Sequence, residues 1–471
     1  MPALLPRLGR RAFLALTGGA LGAAPLRALS SRAAAASRGQ APAGGRTGGE
    51  AGYGPLRPVR DETTGLPLLH LPAGFRYLTF GWTGDPLADG RPTPPAHDGM
   101  AAFAGGGSRI RLIRNHEVRS GGAFADRPLY DEMAGGGTTT IEFDSATGTV
   151  HDAWTSLAGT AVNCAGGPTP WGSWLTCEET VSGPGFDPAL ASSFFQRNIP
   201  DYRRPHGYVF EVPADGAATA EPLRAMGRFV HEAASVDPAT GIVYETEDRG
   251  AAGFYRFLPN EAGHLAAGGR LEMLAIAAAP RSDLRKGQTA DTWRPVSWVP
   301  IEDPDPAETT EHSVFEQGAA GGGATFARLE GTWYGDERVF IVSTDGGEAE
   351  AGQVWEYDPG RERLRLIFES PARDVLDMPD NLCVSPRGGL VLCEDGDTDN
   401  FVRGLALDGE IFPFARNNVV VDGERNGFAG DFRAREFAGA TYSPDGRWLF
   451  FNAQTPGITF AVTGPWADGG L

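Results

Sequence analysis

The stretch that decides the fold is Asp380-Asn-Leu-Cys-Val-Ser-Pro-Arg-Gly-Gly-Leu-Val-Leu-Cys-Glu394-Asp395, two apolar runs joined by a Pro-Arg-Gly-Gly turn with polar groups at both outer ends. Such a run reads as an antiparallel hairpin, which brings its two polar ends side by side at one edge. The same pattern recurs from Glu232 to Asp248, from Glu330 to Asp345 and from Cys164 to Glu179. Two looser copies run from Glu436 through Ser443-Pro-Asp-Gly446 to Asn452, and from His97-Asp98-Gly99-Met100 to Asn115-His116-Glu117. Fifteen residues separate Cys164 from Glu179, Glu232 from Glu247, Glu330 from Asp345 and Asp380 from Asp395. Six copies predict an all-β, six-bladed β-propeller whose polar strand ends surround the mouth of a central channel.

The rest of the chain fits this frame. With 66 Gly and 36 Pro in 471 residues, turns outnumber long helices. Five arginines and no acid precede Ala36, and Arg10-Arg11 stands directly before the small-residue apolar run that starts at Ala12. This predicts a twin-arginine signal peptide over 1–36, read by the twin-arginine export machinery, and a periplasmic or secreted protein. Gly18, Gly19, Gly22 and Pro25 interrupt the run, so no transmembrane anchor is expected in the mature form. Residues 37–64 read as a disordered linker, and 65–471 as one propeller domain with a loop-rich insertion around 261–326 able to form a lid. The formal charge is −19, and about −24 once those five arginines are removed, which argues against nucleic acid as a partner. Cys177, Cys383 and Cys393 sit in apolar strands and read as buried thiols, whereas Cys164 stands among the polar ends. A monomer is expected.

The predicted mouth gathers Asp98, Glu117, Cys164, Glu178, Glu179, Glu232, Glu247, Asp248, Glu330, Asp345, Asp380, Asn381, Glu394, Asp395 and Glu436. So many carboxylates cannot stay ionised together without cations. Oxygen ligands suit Ca²⁺, Mg²⁺ or ferric iron, and one thiolate biases a position toward a transition metal, so a mixed centre is expected. Arg328, two residues before Glu330, faces the same way on a strand and is the candidate clamp for an anionic substrate. His116 and His231 rank below the acids. No nucleophile elbow, Walker loop, zincin motif or dinucleotide fingerprint is found in its required context, which leaves metal-assisted hydrolysis as the best class. A calcium-dependent lactonase-like propeller and a non-catalytic calcium-stabilised binding propeller are the alternatives.

Four motifs carry a resemblance: Gly159-Thr-Ala-Val-Asn-Cys164 through Glu179, Gly227-Arg-Phe-Val-His231-Glu232-Ala, Arg328-Leu-Glu330-Gly-Thr-Trp, and Met378-Pro-Asp380-Asn381-Leu. Together with the segment from Glu436 to Pro465, they resemble the PhoX-type alkaline phosphatases over roughly residues 65 to 465. The resemblance implies an exported propeller with a pair of Fe(III) ions and several Ca²⁺ ions, hydrolysing a small-molecule phosphate ester. It further implies Cys164 and Glu232 as iron ligands and Glu179, Glu330, Asp380, Asn381 and Glu394 as further iron or calcium ligands, with Arg328 on the phosphate. Glu178, Glu247 and Asp395 complete the metal-ligand set expected from the strand ends. The chain looks short for this family, so missing loops could remove contacts.

Overall fold

The computed structural model describes residues 52–184, 202–307 and 311–471. The expected signal peptide and the first part of the linker lie outside the described residues. The remainder of the expected linker, from Gly52, is built into the fold. Strand β1 (Arg57–Val59) pairs with β2 (Leu69–Leu71), and Tyr53 donates its hydroxyl to the Leu471 carbonyl at 2.7 Å. Tyr53 also packs edge-on against Phe75, Phe414 and Trp466. Phe414 and Trp466 are distant in sequence, so the local Gly and Pro content of 37–64 carried no trace of them.

After β3 (Arg76–Phe80) the chain falls into antiparallel meanders. The first is β4 (His97–Ala104), β5 (Arg109–His116), β6 (Gly136–Asp144) and β7 (Thr149–Thr160), and the second is β8 (Asn163–Pro168), β9 (Ser173–Glu178) and β10 (Val209–Pro213). The third runs through β11 (His231–Val236), β12 (Val243–Glu247), β13 (Phe254–Pro259) and β14 (Gly269–Ile276) to an added strand, β15 (Arg294–Pro300). Helix α1 (Val314–Gly321) follows, capped by the Ser313 side chain, and is the only α-helix among the described residues. Next come β16 (Leu329–Gly335), β17 (Arg338–Ser343), β18 (Gln353–Asp358) and β19 (Arg363–Glu369), then β20 (Pro379–Val384), β21 (Leu390–Glu394), β22 (Phe401–Leu405) and β23 (Ile411–Asn417). A small hairpin, β24 (Val420–Arg425) and β25 (Phe428–Asp431), precedes β26 (Phe437–Tyr442), β27 (Leu449–Ala453) and β28 (Ile458–Thr463).

Each repeated hairpin of the sequence is thus the leading pair of a meander. The leading strands β4, β8, β11, β16, β20 and β26 pack side by side in a closed ring, β26 against β4, which makes an all-β propeller. Closure is secured by β3, which adds to the outer edge of β28 in register from Arg76–Thr463 to Phe80–Thr459. The six leading strands fall in five hydrogen-bonded sheets. Pairing of β15 with β19 fuses two meanders into one nine-stranded sheet, while β1 and β2 extend the sheet of β20 to β23.

The interval 261–326, expected as a loop-rich insertion, also has regular structure. It supplies β14 and β15, and α1 packs on both. The alternating apolar residues of Leu271, Met273 and Val296 were diluted by Ala and Gly in the sequence and read as loop. The turn around Arg285 comes back toward the acid-bearing strand ends, where the Gly347 amide donates to the Arg285 carbonyl at 2.8 Å.

Replacing Tyr53 by Ala should lower stability by about 3 kcal/mol, as for loss of a large aromatic from a packed cluster, measured by urea unfolding. An unchanged midpoint would return this segment to the linker.

Candidate metal centre

The site is built by one irregularity repeated at every leading strand. Each pairs with its neighbour through a register shift of one extra residue: between His97 and Met100, Asn163 and Gly166, His231 and Ala234, Leu329 and Thr332, Pro379 and Leu382, and Ala438 and Thr441. Such a bulge bends the strand and re-aims the side chain within it. The first bulged residues are Asp98, Cys164, Glu232, Glu330, Asp380 and Gly439, an inner ring of four acids, a thiol and a glycine. Two residues earlier, Ala96, Val162, Arg328 and Met378 have φ of 53°, 51°, 39° and 49°, the left-handed region that non-glycine residues rarely adopt. Gly439, at φ 65°, cannot be replaced without collision, since a Cβ there would lie 2.4 Å from the Asp98 carbonyl oxygen.

A second ring follows from the ends of the next strands. The amides of Glu117, Glu179, Asp248, Thr344, Asp395 and Gln454 donate to the carbonyls of Ala96, Val162, Val230, Arg328, Met378 and Glu436 at 2.8–3.3 Å. The equal spacing of fifteen therefore misplaces two partners. Asp248 stands opposite Glu232 where Glu247 was expected, and Thr344 stands opposite Glu330 in place of Asp345.

Adjacent acids at the strand ends divide their work, because successive side chains on a strand point to opposite faces. Glu178 faces away from the cleft. It accepts from His206 Nδ1 at 2.6 Å and from the amides of Ala161, Gly207 and Tyr208 at 2.9, 2.9 and 3.2 Å. Glu247 accepts from the Tyr255 hydroxyl at 2.7 Å and the Gly253 amide at 3.1 Å. Glu394 accepts from Arg403 at 2.7 Å and the amides of Asp377 and Phe401. These three, expected as metal ligands, instead anchor the backbone behind the site, while Glu179, Asp248 and Asp395 reach the centre. Asn381, at the second bulge position, accepts on its side-chain oxygen from the Ala440 amide at 3.0 Å, tying β20 to β26. Asp345 lines a neighbouring cleft with Asp283 and Arg285.

Glu117, Cys164, Glu179, Arg328, Glu330, Asp380, Asp395 and Glu436 line a cleft of about 320 Å³. Arg119 and Gln454 also line it, and neither was singled out from the sequence. The only signal for Arg119 was its place two residues beyond Glu117. Asp98 and Glu232 lie just beneath. Single ligand atoms of Asp98, Glu117 and Cys164 lie within 4.8 Å of one another, and so do those of Cys164, Glu232 and Asp380. The one sulfur thus belongs to both trios. Burial pushes the carboxyls of Asp98, Glu232, Glu330, Asp380 and Glu436 well above the usual range, reinforced by their acidic neighbours. Burial and then Asp98 and Glu232 raise the Cys164 thiol likewise. Both oxygens of Glu232 and Oδ1 of Asp380 are buried without a hydrogen-bond partner among the described residues. Orphaned buried carboxylate oxygens beside a thiol are the donor set of a cation site, so the residues fit bound metal.

Two guanidinium groups offset part of the negative charge. Arg328 Nε and Nη2 donate to Asp248 at 2.9 and 3.1 Å, and Nη2 also pairs with Glu330. Arg119 pairs with Glu117 and, at 3.1 Å, with Glu179. His116 and His231 are buried among main-chain acceptors, His116 Nδ1 3.0 Å from the Pro95 carbonyl and His231 Nε2 3.1 Å from that of Gly227. The other three cysteines are free and buried in strands. No helix of the described residues is long and apolar enough to cross a membrane.

A family model for alkaline phosphatase PhoX matches residues 51–152 and 144–457. Among solved structures, the chain is similar to Pseudomonas fluorescens PhoX in complex with vanadate, a transition state analogue. The TM-score is 0.64 at 17% identity, covering 89% of this chain and 98% of that one. It is also similar to a gluconolactonase from Xanthomonas campestris, with a TM-score of 0.42 and 14% identity over 89% of this chain and 99% of that one. None of the curated proteins compared matches the chain.

Glu178→Gln should destabilise the fold and leave metal content unchanged, whereas Glu179→Gln should do the reverse; unfolding and elemental analysis separate them. Burial opposes the charge of His206, but Glu178 and Asp131 outweigh it and raise its pKa to about 9. Stability from this pair is full below about pH 6.5 and lost as pH rises through 9, a loss on the order of 3 kcal/mol. His206→Gln should flatten that part of the pH profile.

Proposed function

Because the chain belongs to the PhoX alkaline phosphatase family, we propose that it hydrolyses phosphate monoesters at a mixed Fe(III) and Ca²⁺ centre in the mouth of a six-bladed propeller. The observation that carries this reading is the Cys164 sulfur shared between two ligand trios. A thiolate common to two close sites favours a pair of transition-metal ions there, and all-oxygen positions farther out favour calcium. Glu232 and Asp380 would complete one iron position with Cys164, and Asp98 and Glu117 the other. Glu179, Glu330, Asp395 and Glu436 are the candidates for calcium. Six leading strands, each with the same bulge, support the count of six blades.

Bound cations would supply Lewis acidity and lower the pKa of water, so no serine nucleophile is required. The protein's own residues do the rest. Arg328 stands at the cleft wall with a planar fork suited to two phosphate oxygens. Its left-handed backbone and its bonds to Asp248 and Glu330 set the direction of the fork. Burial of the inner ring keeps bulk water from the oxygens that would hold a metal. A site buried this deeply is best filled before export, which supports the twin-arginine route and a periplasmic or secreted location.

Purified mature protein should contain both iron and calcium and release phosphate from p-nitrophenyl phosphate, and a calcium chelator should abolish turnover. Cys164→Ser should remove iron and lower kcat/KM by about 100-fold or more. Calcium without iron would overturn the mixed centre and leave a calcium propeller.

A further inference from the structure

The cleft is charged unevenly. Of the residues that line it, the bases are Arg119 and Arg328, and both belong to one half. Arg119 bridges Glu117 and Glu179, and Arg328 bridges Asp248 and Glu330. Glu179 and Asp248 are themselves in side-chain hydrogen-bond contact, so the two guanidinium groups flank a single acid pair. The opposite half, with Asp380, Asp395 and Glu436, contributes no base. Exposure orders the two kinds of group: the Arg119 and Arg328 side chains are 32% and 21% exposed, against 8% for Glu179 and 4% for Glu330. The arginines therefore stand between the acids and solvent, where any ligand must enter. Arg119 also lies close enough to Cys164 to feel its charge, which places it beside the sulfur common to both trios.

We propose that Arg119 is a second phosphate-binding residue, acting across the acid pair from Arg328, and that it selects monoesters over diesters. This rests on the phosphatase reading above. With the acids empty, the two forks hold carboxylates. When cations take the carboxylates, the same donors turn to phosphate oxygens, because a guanidinium prefers the anion that is not already neutralised. Two forks that share an oxygen between them, with a further contact at the metal centre, would use every unesterified oxygen of a monoester. A phosphate monoester offers three, and a diester only two. Arg119 is thus a specificity residue that exchanges one anionic partner for another.

The test uses metal-loaded full-length mature protein carrying Arg119→Gln or Arg119→Lys. For Arg119→Gln, KM for p-nitrophenyl phosphate and the inhibition constant of inorganic phosphate should each rise tenfold or more, with iron and calcium content unchanged. The rate on bis-p-nitrophenyl phosphate should fall much less, so that the monoester preference shrinks, and Arg119→Lys should restore part of the phosphate affinity. Loss of metal in parallel with activity, or an unchanged phosphate inhibition constant, would overturn the proposal and leave Arg119 as a counter-ion for Glu117 and Glu179. Calorimetric binding of inorganic phosphate separates this from the parent reading. If wild type turns over no monoester yet binds phosphate in an Arg119-dependent way, the phosphatase assignment fails and the phosphate site stands; if Arg119→Gln binds phosphate as wild type does, the site fails.

Discussion

Everything at the centre of this molecule depends on one extra residue in each leading strand. The bulge lets a side chain leave the flat ladder and aim along the channel, and it frees the carbonyl beside it for a bond to the next meander. Those carbonyls are taken up in turn. Asn115 donates to the Cys164 carbonyl at 3.0 Å, Thr246 to Glu330 at 2.6 Å, Thr344 to Pro379 at 2.6 Å and Asn452 to Asp98 at 2.7 Å. Left-handed backbone at Ala96, Val162, Arg328 and Met378 costs of order 1–3 kcal/mol each, and such strain persists only where the surroundings over-determine it. Here the surroundings are the neighbouring meanders, so ring closure and ligand placement are the same structural event.

Electrostatics set the second constraint. Four acids of the inner ring and four of the outer converge in one mouth, and a hydrophobic propeller would gain nothing from them. Arg119 and Arg328 pair with Glu117, Glu179, Asp248 and Glu330, while Asp380, Asp395 and Glu436 line the rest of the cleft. The fold thereby holds its ligands apart against their mutual repulsion with hydrogen bonds behind the site, those of Glu178, Glu247 and Glu394, rather than with contacts in front of it. Front and back of each strand end are chemically alike and functionally opposite.

That likeness explains what could be read from the chain alone. The repeated hairpins, the all-β class and the gathering of Cys164, Glu232, Glu330 and Asp380 follow from local pattern, because period-two alternation and turn chemistry are local. The division of labour in Glu178-Glu179, Glu247-Asp248 and Glu394-Asp395 does not, since both residues of each pair are acidic and only the strand's phase tells them apart. All the leading strands share the same bulge but their hairpins differ in length, with His231 opposite Glu247 and Leu329 opposite Ser343, which is why a constant count of fifteen pointed to Glu247 and Asp345. Arg119 and Gln454 escaped notice because their roles come from neighbours 60 and 337 residues away in the chain. Tyr53 was hidden for the same reason.

The edge strand β3 adds a matter of timing. Its partner β28 ends at Thr463, so the ring stays open until that strand has been made, and β3 waits some 380 residues for the strand it completes. Ligands drawn from Asp98 at one end and Glu436 at the other cannot converge earlier. The two trios around Cys164 are completed at different stages, since Asp98, Glu117 and Cys164 come from the first two meanders, whereas Glu232 and Asp380 add the third and fifth. Assembly of the cluster is in this sense paced by synthesis itself.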